Sequence, residues 1–126
     1  MDKEIKNAMI TNVSITMDDH CALTFYVSLE GAGWFCKYGG YCFGNGDIGW
    51  KPEEFSATGS GLVAMMRIMD TVGVRNWEDL VGKYVRCKVV RSGEGIDEIG
   101  NIIKDKWFNI REYFASVKES KEEKDG

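Results

Sequence analysis

The sequence predicts an α+β domain, with a mostly antiparallel sheet of about five strands packed against one main amphipathic helix and a short second helix. Three observations carry that expectation. Two alternating apolar–polar runs, residues 9–17 and 21–29, are joined by a short polar connection, which is the pattern of a β-hairpin. A stretch from Ser60 to Val72 repeats apolar residues at helical spacing, as a half-buried helix does. Lys83 to Arg91 then alternates again. Strands followed by a helix and further strands favour a segregated α+β layout over alternating β-α-β units.

The elements follow in chain order. Met9, Thr11, Val13, Ile15 and Met17 share one side of the first run, and Ile10, Asn12, Ser14 and Thr16 the other. Asp18, Asp19 and His20 make the turn. Leu23, Phe25, Val27 and Leu29 then form one side of the second strand, and Trp34 to Tyr38 a third strand after the break at Gly31 and Gly33. Residues 39–50 are so rich in glycine that a regular helix or a long strand is not expected. Pro52 suits the first position of a helical turn.

In the main helix Leu62, Met65, Met66, Met69 and Val72 read as the buried stripe, so Met66→Asp is expected to destabilise the domain by about 3–5 kcal/mol. Gly73 and Val74 complete a C-terminal cap. Asn76 opens a short helix from Trp77 to Val81. In the next strand Val85, Cys87 and Val89 face the core, while Tyr84, Arg86, Lys88 and Val90 face outward. Ile96 to Ile103 returns antiparallel, and Trp107 begins a final helical aromatic segment that reaches Phe114. Residues 1–114 are thus expected to form one domain. Residues 115–126, nearly all charged or serine, are expected to fray, and their deletion to change stability little.

A chain of 126 residues with 44% hydrophobic residues is one domain in size and too apolar to be wholly disordered. No apolar run approaches the ~20 residues of a membrane-spanning helix. Its charged N-terminus leads into no apolar segment of the kind that directs secretion. A cytoplasmic location without membrane partners is therefore expected. The formal charge of −4, from 16 Lys and Arg against 20 Asp and Glu, argues against a broad electrostatic footprint for nucleic acid and suits a basic protein partner. Cys21, Cys36, Cys42 and Cys87 lack the close-spaced pairs of a structural zinc site. They are expected to be reduced thiols, and no cofactor is implied.

Chemistry-bearing patterns are few. Gly44-Asn45-Gly46-Asp47-Ile48-Gly49 fits the spacing of a dinucleotide fingerprint, but Trp50-Lys51-Pro52 follows where a long helix is required. His20 stands without a nucleophile partner, and the adjacent carboxylates point to opposite sides of a strand, so a non-enzymatic protein is expected. Two surfaces remain for binding. Trp34, Tyr38, Tyr41, Phe43 and Trp50 gather around glycines, where rings can either cover the sheet or stack on a nucleotide-like ligand, with Lys37 and Lys51 at hand for a phosphate. Tyr84, Arg86 and Lys88 form an outward strip of mixed aromatic and cationic character, extendable by Arg75, Lys104, Lys106 and Arg111.

Gly39-Gly40-Tyr41, the run from Val72 through Trp77-Glu78-Asp79-Leu80 to Arg86, and Ile99-Gly100-Asn101 through Trp107-Phe108 resemble a family of small, uncharacterised phage and prophage proteins over about residues 8 to 112. No residue roles come with the resemblance. It implies a viral context, in which small acidic proteins often act as inhibitors of host defence, either by covering a defence protein, as anti-CRISPR proteins do, or by sequestering a nucleotide-like signal. The alternative is an accessory nucleic-acid-binding factor of phage replication or recombination.

Overall fold

Six antiparallel strands in one sheet and two helices make up the computed structural model, which describes residues 4–17, 23–44, 51–89 and 95–125, with side chains described through Lys118. The elements are β1 (Glu4–Thr16), β2 (Thr24–Gly31), β3 (Trp34–Cys42), α1 (Gly59–Val72), β4 (Tyr84–Val89), β5 (Ile96–Asn101), β6 (Trp107–Asn109) and α2 (Ile110–Asp125). Single 3₁₀ turns lie at Pro52–Glu54 and Trp77–Leu80. The strand order is β3-β2-β1-β4-β5-β6. The α+β expectation therefore holds, with one strand more than anticipated. Trp107–Asn109 pairs with β5 instead of starting the last helix, because Ile99 and Phe108 close a cross-strand pair over the core.

Three β-bulges shape the sheet. The first lies in β1 between Ile10 and Asn12, the second in β3 opposite Phe25 and Tyr26, and the third between Lys88 and Val89 of β4 and β5. Each adds a residue to one strand, which bends it and sharpens its twist. The first bulge also reverses the alternation expected for residues 9–17. Ala8 and Ile10 are buried, and the phase then skips to Val13. Ile15 is exposed.

The second bulge corrects the expectation that glycines 39 and 40 end the third strand. Both have positive φ, 107° and 84°, a conformation that costs glycine little, and β3 continues through them to Cys42. The curvature carries the two edge strands toward each other. The buried Tyr38 hydroxyl of β3 donates to the Phe108 carbonyl of β6 at 3.1 Å, so side chains close the gap that no backbone ladder spans.

One end of this curled sheet is covered by α1. Gly61 lets the helix approach the Phe43 backbone, where a Cβ would stand 2.8 Å from the Phe43 ring. The buried residues of the helix are Gly61, Ala64, Ile68 and Thr71. The stripe is thus turned by about one residue from the expected one. Met65, Met69 and Val72 lie at its margin, whereas Leu62 and Met66 are 57% and 66% exposed. Methionine and leucine marked the wrong face because the close approach to β3 requires glycine and alanine instead.

The helix ends as expected. Gly73 at φ 97° and Val74 both donate to the Met69 carbonyl. Helix α2 docks by its first turns. The Tyr113 hydroxyl donates to the Ser60 carbonyl at 3.1 Å, and Phe114 stacks on Tyr41 with centroids 4.0 Å apart. The charged C-terminal segment continues as helix to Asp125. No helix among the described residues is long and apolar enough to cross a membrane.

Candidate functional site

The aromatic residues singled out in the sequence divide by depth. Tyr38 is fully buried and Phe43 nearly so, and Phe43 packs on Phe25 at 5.3 Å. These two rings are core and offer no face to a ligand. Burial pushes the Tyr38 phenol far above its ordinary range and raises Tyr41 as well. Tyr41 is committed to Phe114. Trp34 alone reaches an open recess, described below, and Trp50 lies outside the described residues. Lys37 sits over the Tyr26 ring at 5.4 Å, and Lys51 pairs with Glu54 at 3.8 Å. These placements do not assemble the glycine–aromatic pocket.

The outward strip on β4 is real, and most of it is occupied. Gly100 of β5 faces Trp107 of β6, and the missing side chain lets the indole lie across the strand. The guanidinium of Arg86 and the ammonium of Lys88 both sit over that indole, at 4.6 and 4.4 Å. Arg86 also donates through Nε to the Asn101 carbonyl at 2.7 Å and through Nη2 to the Lys104 carbonyl at 2.8 Å. Lys88 pairs with Glu98 at 3.4 Å. Lys106 pairs with Asp70, and Arg111 with Asp97. Four of the cations that could have tracked a phosphate backbone, Arg86, Lys88, Lys106 and Arg111, are thus engaged by neighbours within the fold.

That engagement organises the loop between β5 and β6. Asn101 is its hub. The side-chain amide donates to the carbonyls of Thr71 and Val72, at 3.0 and 3.2 Å, closing the C-terminus of α1. Its Oδ1 accepts from the backbone N–H groups of Ile103 and Lys104, at 2.9 and 2.8 Å, which is an Asx-type turn. The Asn101 N–H in turn donates to the Lys106 carbonyl at 2.9 Å. With the two bonds from Arg86, the loop is fastened at Asn101, Ile103, Lys104 and Lys106. Its tip carries two apolar side chains, Ile102 and Ile103, and Ile103 is 85% exposed.

Beside this tip lies a shallow cleft of about 650 Å³, between Val72 and Gly73 at the end of α1, Gly82, the exposed Tyr84 ring and Asn7. Lys83 and Lys104 stand at its rim, and no ion pair engages either of them among the described residues. Of the sequence candidates, Tyr84 and Lys104 contribute to this surface directly, while Arg86 holds the loop through the Asn101 and Lys104 carbonyls. Sequence reasoning missed Asn101, Ile102 and Ile103. Two consecutive isoleucines following an Asn in what reads as a strand carry no sign that the strand stops at Asn101.

The cysteines depart from the expectation of four reduced thiols. Cys42 is disulfide-bonded, while Cys36 and Cys87 are free. Strand pairing places Cys42 opposite Thr24 at the start of β2, a juxtaposition that spacing alone does not reveal. Burial pushes the Cys87 thiol up to about 12. Among the described residues no three His, Cys, Asp or Glu side chains converge as a metal site would require. His20 lies outside them. Compared with known proteins, the chain matches no family model, and no curated protein or solved structure shows significant similarity to it.

Proposed function

We propose that the protein is a non-enzymatic binding protein that works by occlusion, covering a protein partner with the Ile102–Ile103 tip and the cleft beside it. The observation that supports this reading is an almost fully exposed isoleucine on a loop fastened by Asn101 and Arg86. An apolar side chain held out on a fixed backbone loses little conformational entropy on binding, which is what makes an anchor residue effective. Tyr84 widens the apolar contact, and Lys83 and Lys104, which no ion pair engages among the described residues, favour a partner segment that is apolar at its centre and acidic around it. The resemblance to small phage proteins suggests a host defence factor, in the bacterial cytoplasm, as the partner class.

The test is efficiency of plating on hosts that each carry one defence system, with the protein expressed from a plasmid. The reading expects the wild type to restore plating against at least one system and Ile103→Asp, folded to the same stability, to lose that effect. A wild type inert across the panel would overturn it.

The second reading, nucleic-acid binding, draws on the Trp107 indole lying between Arg86 and Lys88. Fluorescence anisotropy with labelled single-stranded DNA decides between the two. The occlusion reading expects no steeply salt-dependent binding, since the donors of Arg86 already serve carbonyl groups and Lys88 already has a carboxylate.

A further inference from the structure

At the end of the curled sheet opposite α1 the described residues frame a recess. From Glu4 to Ala8, β1 pairs with β4, and its pairing with β2 begins only at Met9. β2 turns back at Gly31 into β3, so the start of β1 runs on past the β2–β3 hairpin, and beside it lies a recess of about 240 Å³ lined by Lys6, Trp34, Cys36, Val89, Gly95 and Ile96, with Phe35 on its lip. Register shows that these side chains enter from the inner face. Lys6 stands opposite the buried Cys87 and two residues before the buried Ala8, and Cys36 stands opposite the buried Leu29. Trp34 faces Gly31, whose missing Cβ leaves room for the indole to lie flat across the hairpin as one wall.

Lys6 is out of place on such a face. It continues a row of inward residues, Ala8 and Ile10, that are otherwise apolar and buried. No hydrogen bond or ion pair engages its ammonium among the described residues. A charged group at an apolar mouth is costly unless something of opposite charge meets it. Mouths of curled sheets are also where small-molecule sites form, with mostly apolar walls and a few polar groups that fix orientation.

We infer that this recess binds a small organic monoanion with a flat apolar body, of the arylcarboxylate class, its carboxylate on Lys6 and its ring against Trp34. Lys6 is the one cation lining the recess among the described residues, and a single cation matches one negative charge better than a phosphate, which usually gathers several donors. The apolar remainder of the walls, Val89 and Ile96, matches a ring. The recess is separate from the Ile103 surface, so this inference does not depend on the occlusion reading.

Isothermal titration of the full chain with naphthalene-2-carboxylate, and with its neutral isostere naphthalene-2-carboxamide, tests it. The carboxylate is expected to bind at least about tenfold more tightly than the carboxamide, a difference of about 1.4 kcal/mol. Lys6→Met keeps the apolar stem and removes the charge, so it should erase that preference, while Lys6→Arg should keep it. Trp34→Ala should weaken both probes alike, and Ile103→Asp neither. Equal affinities for the two probes, an unchanged preference in Lys6→Met, or no saturable binding of the carboxylate would each overturn the inference. Matching thermal melts of the Lys6 variants and the parent separate lost binding from lost folding.

Discussion

Single residues in this chain often serve two layers at once, and Asn101 is the clearest case. Its amide closes the last turn of α1 while its oxygen shapes the exposed loop. Asn101→Ala should cost about 2–3 kcal/mol in chemical denaturation, since two partly buried carbonyls at the end of α1 and two exposed loop N–H groups lose their partner together. It should also weaken any contact made by Ile103 without altering Ile103 itself. On α1 the burial pattern separates neighbours sharply. Met66→Asp should shift stability by no more than about 0.5 kcal/mol, against the larger loss its sequence context suggests, because the side chain points to solvent. Ile68→Ala should cost about 2–5 kcal/mol, because it empties a fully buried site. Cys87 adds a pH dependence. Its folded thiol holds the proton up to about 12, above an unfolded thiol, so its contribution to stability is complete below the ordinary thiol range and is lost as pH rises through that window toward about 12. Denaturation midpoints of the wild type should fall between pH 8 and pH 10.5, and fall less in Cys87→Ala.

At the scale of elements, β2 and β4 were legible because their inward residues alternate without interruption. Phe25, Val27 and Leu29, and likewise Val85 and Cys87, are all buried. The short β6 was not legible, since three residues ending in a helix start carry too little period to distinguish strand from helix. Bulges were the other obstacle. A single extra residue after Ile10 moves the later half of β1 out of phase, and nothing local in Thr11 or Asn12 announces it. Glycine signals were read in the right place with the wrong consequence, for Gly39 and Gly40 bend β3 and do not end it. The same glycines make a sharp test. Gly39→Ala would bring a Cβ to 2.9 Å from the Phe25 carbonyl at a φ of 107°, and should cost about 1–3 kcal/mol. Gly33→Ala, also at positive φ but with nothing within 4 Å, should cost about 1 kcal/mol. Equal losses in urea would mean that the bulge yields and does not hold the curvature of the sheet.

Helices cover one end of the curled sheet, the described residues frame a recess at the other, and both candidate surfaces follow from that asymmetry. Closure at the α1 end forces the β5–β6 connection outward over the helix terminus, where Asn101 fixes it. At the far end β2 stops at Gly31 while β1 runs on, and Lys6 and Trp34 line the recess there. Neither surface was visible as a motif, because each is assembled from strands distant in sequence. The sequence candidates Trp34 and Tyr84 each supply one wall of a surface most of whose other residues sequence reasoning did not single out for binding. Helix α2 completes the closed end, and its contribution can be divided. Tyr113 and Phe114 reach Ser60 and Tyr41, whereas Ala115, Ser116 and Lys118 are exposed and Val117 is only half-buried. Docking therefore resides in the first turn, and the charged turns beyond extend a helix already anchored. Truncation after Ala115 should change stability by less than about 1 kcal/mol, because the segment it removes carries a single apolar side chain, Val117. Phe114→Ala should cost about 1–3 kcal/mol, because it strips the ring stacked on Tyr41 and opens the seam between β3 and α2. Urea denaturation of the two variants side by side gives the answer. A truncation that costs more than the loss of the Phe114 ring would place the anchor in the charged turns, and the helical end would then be closed by its tail.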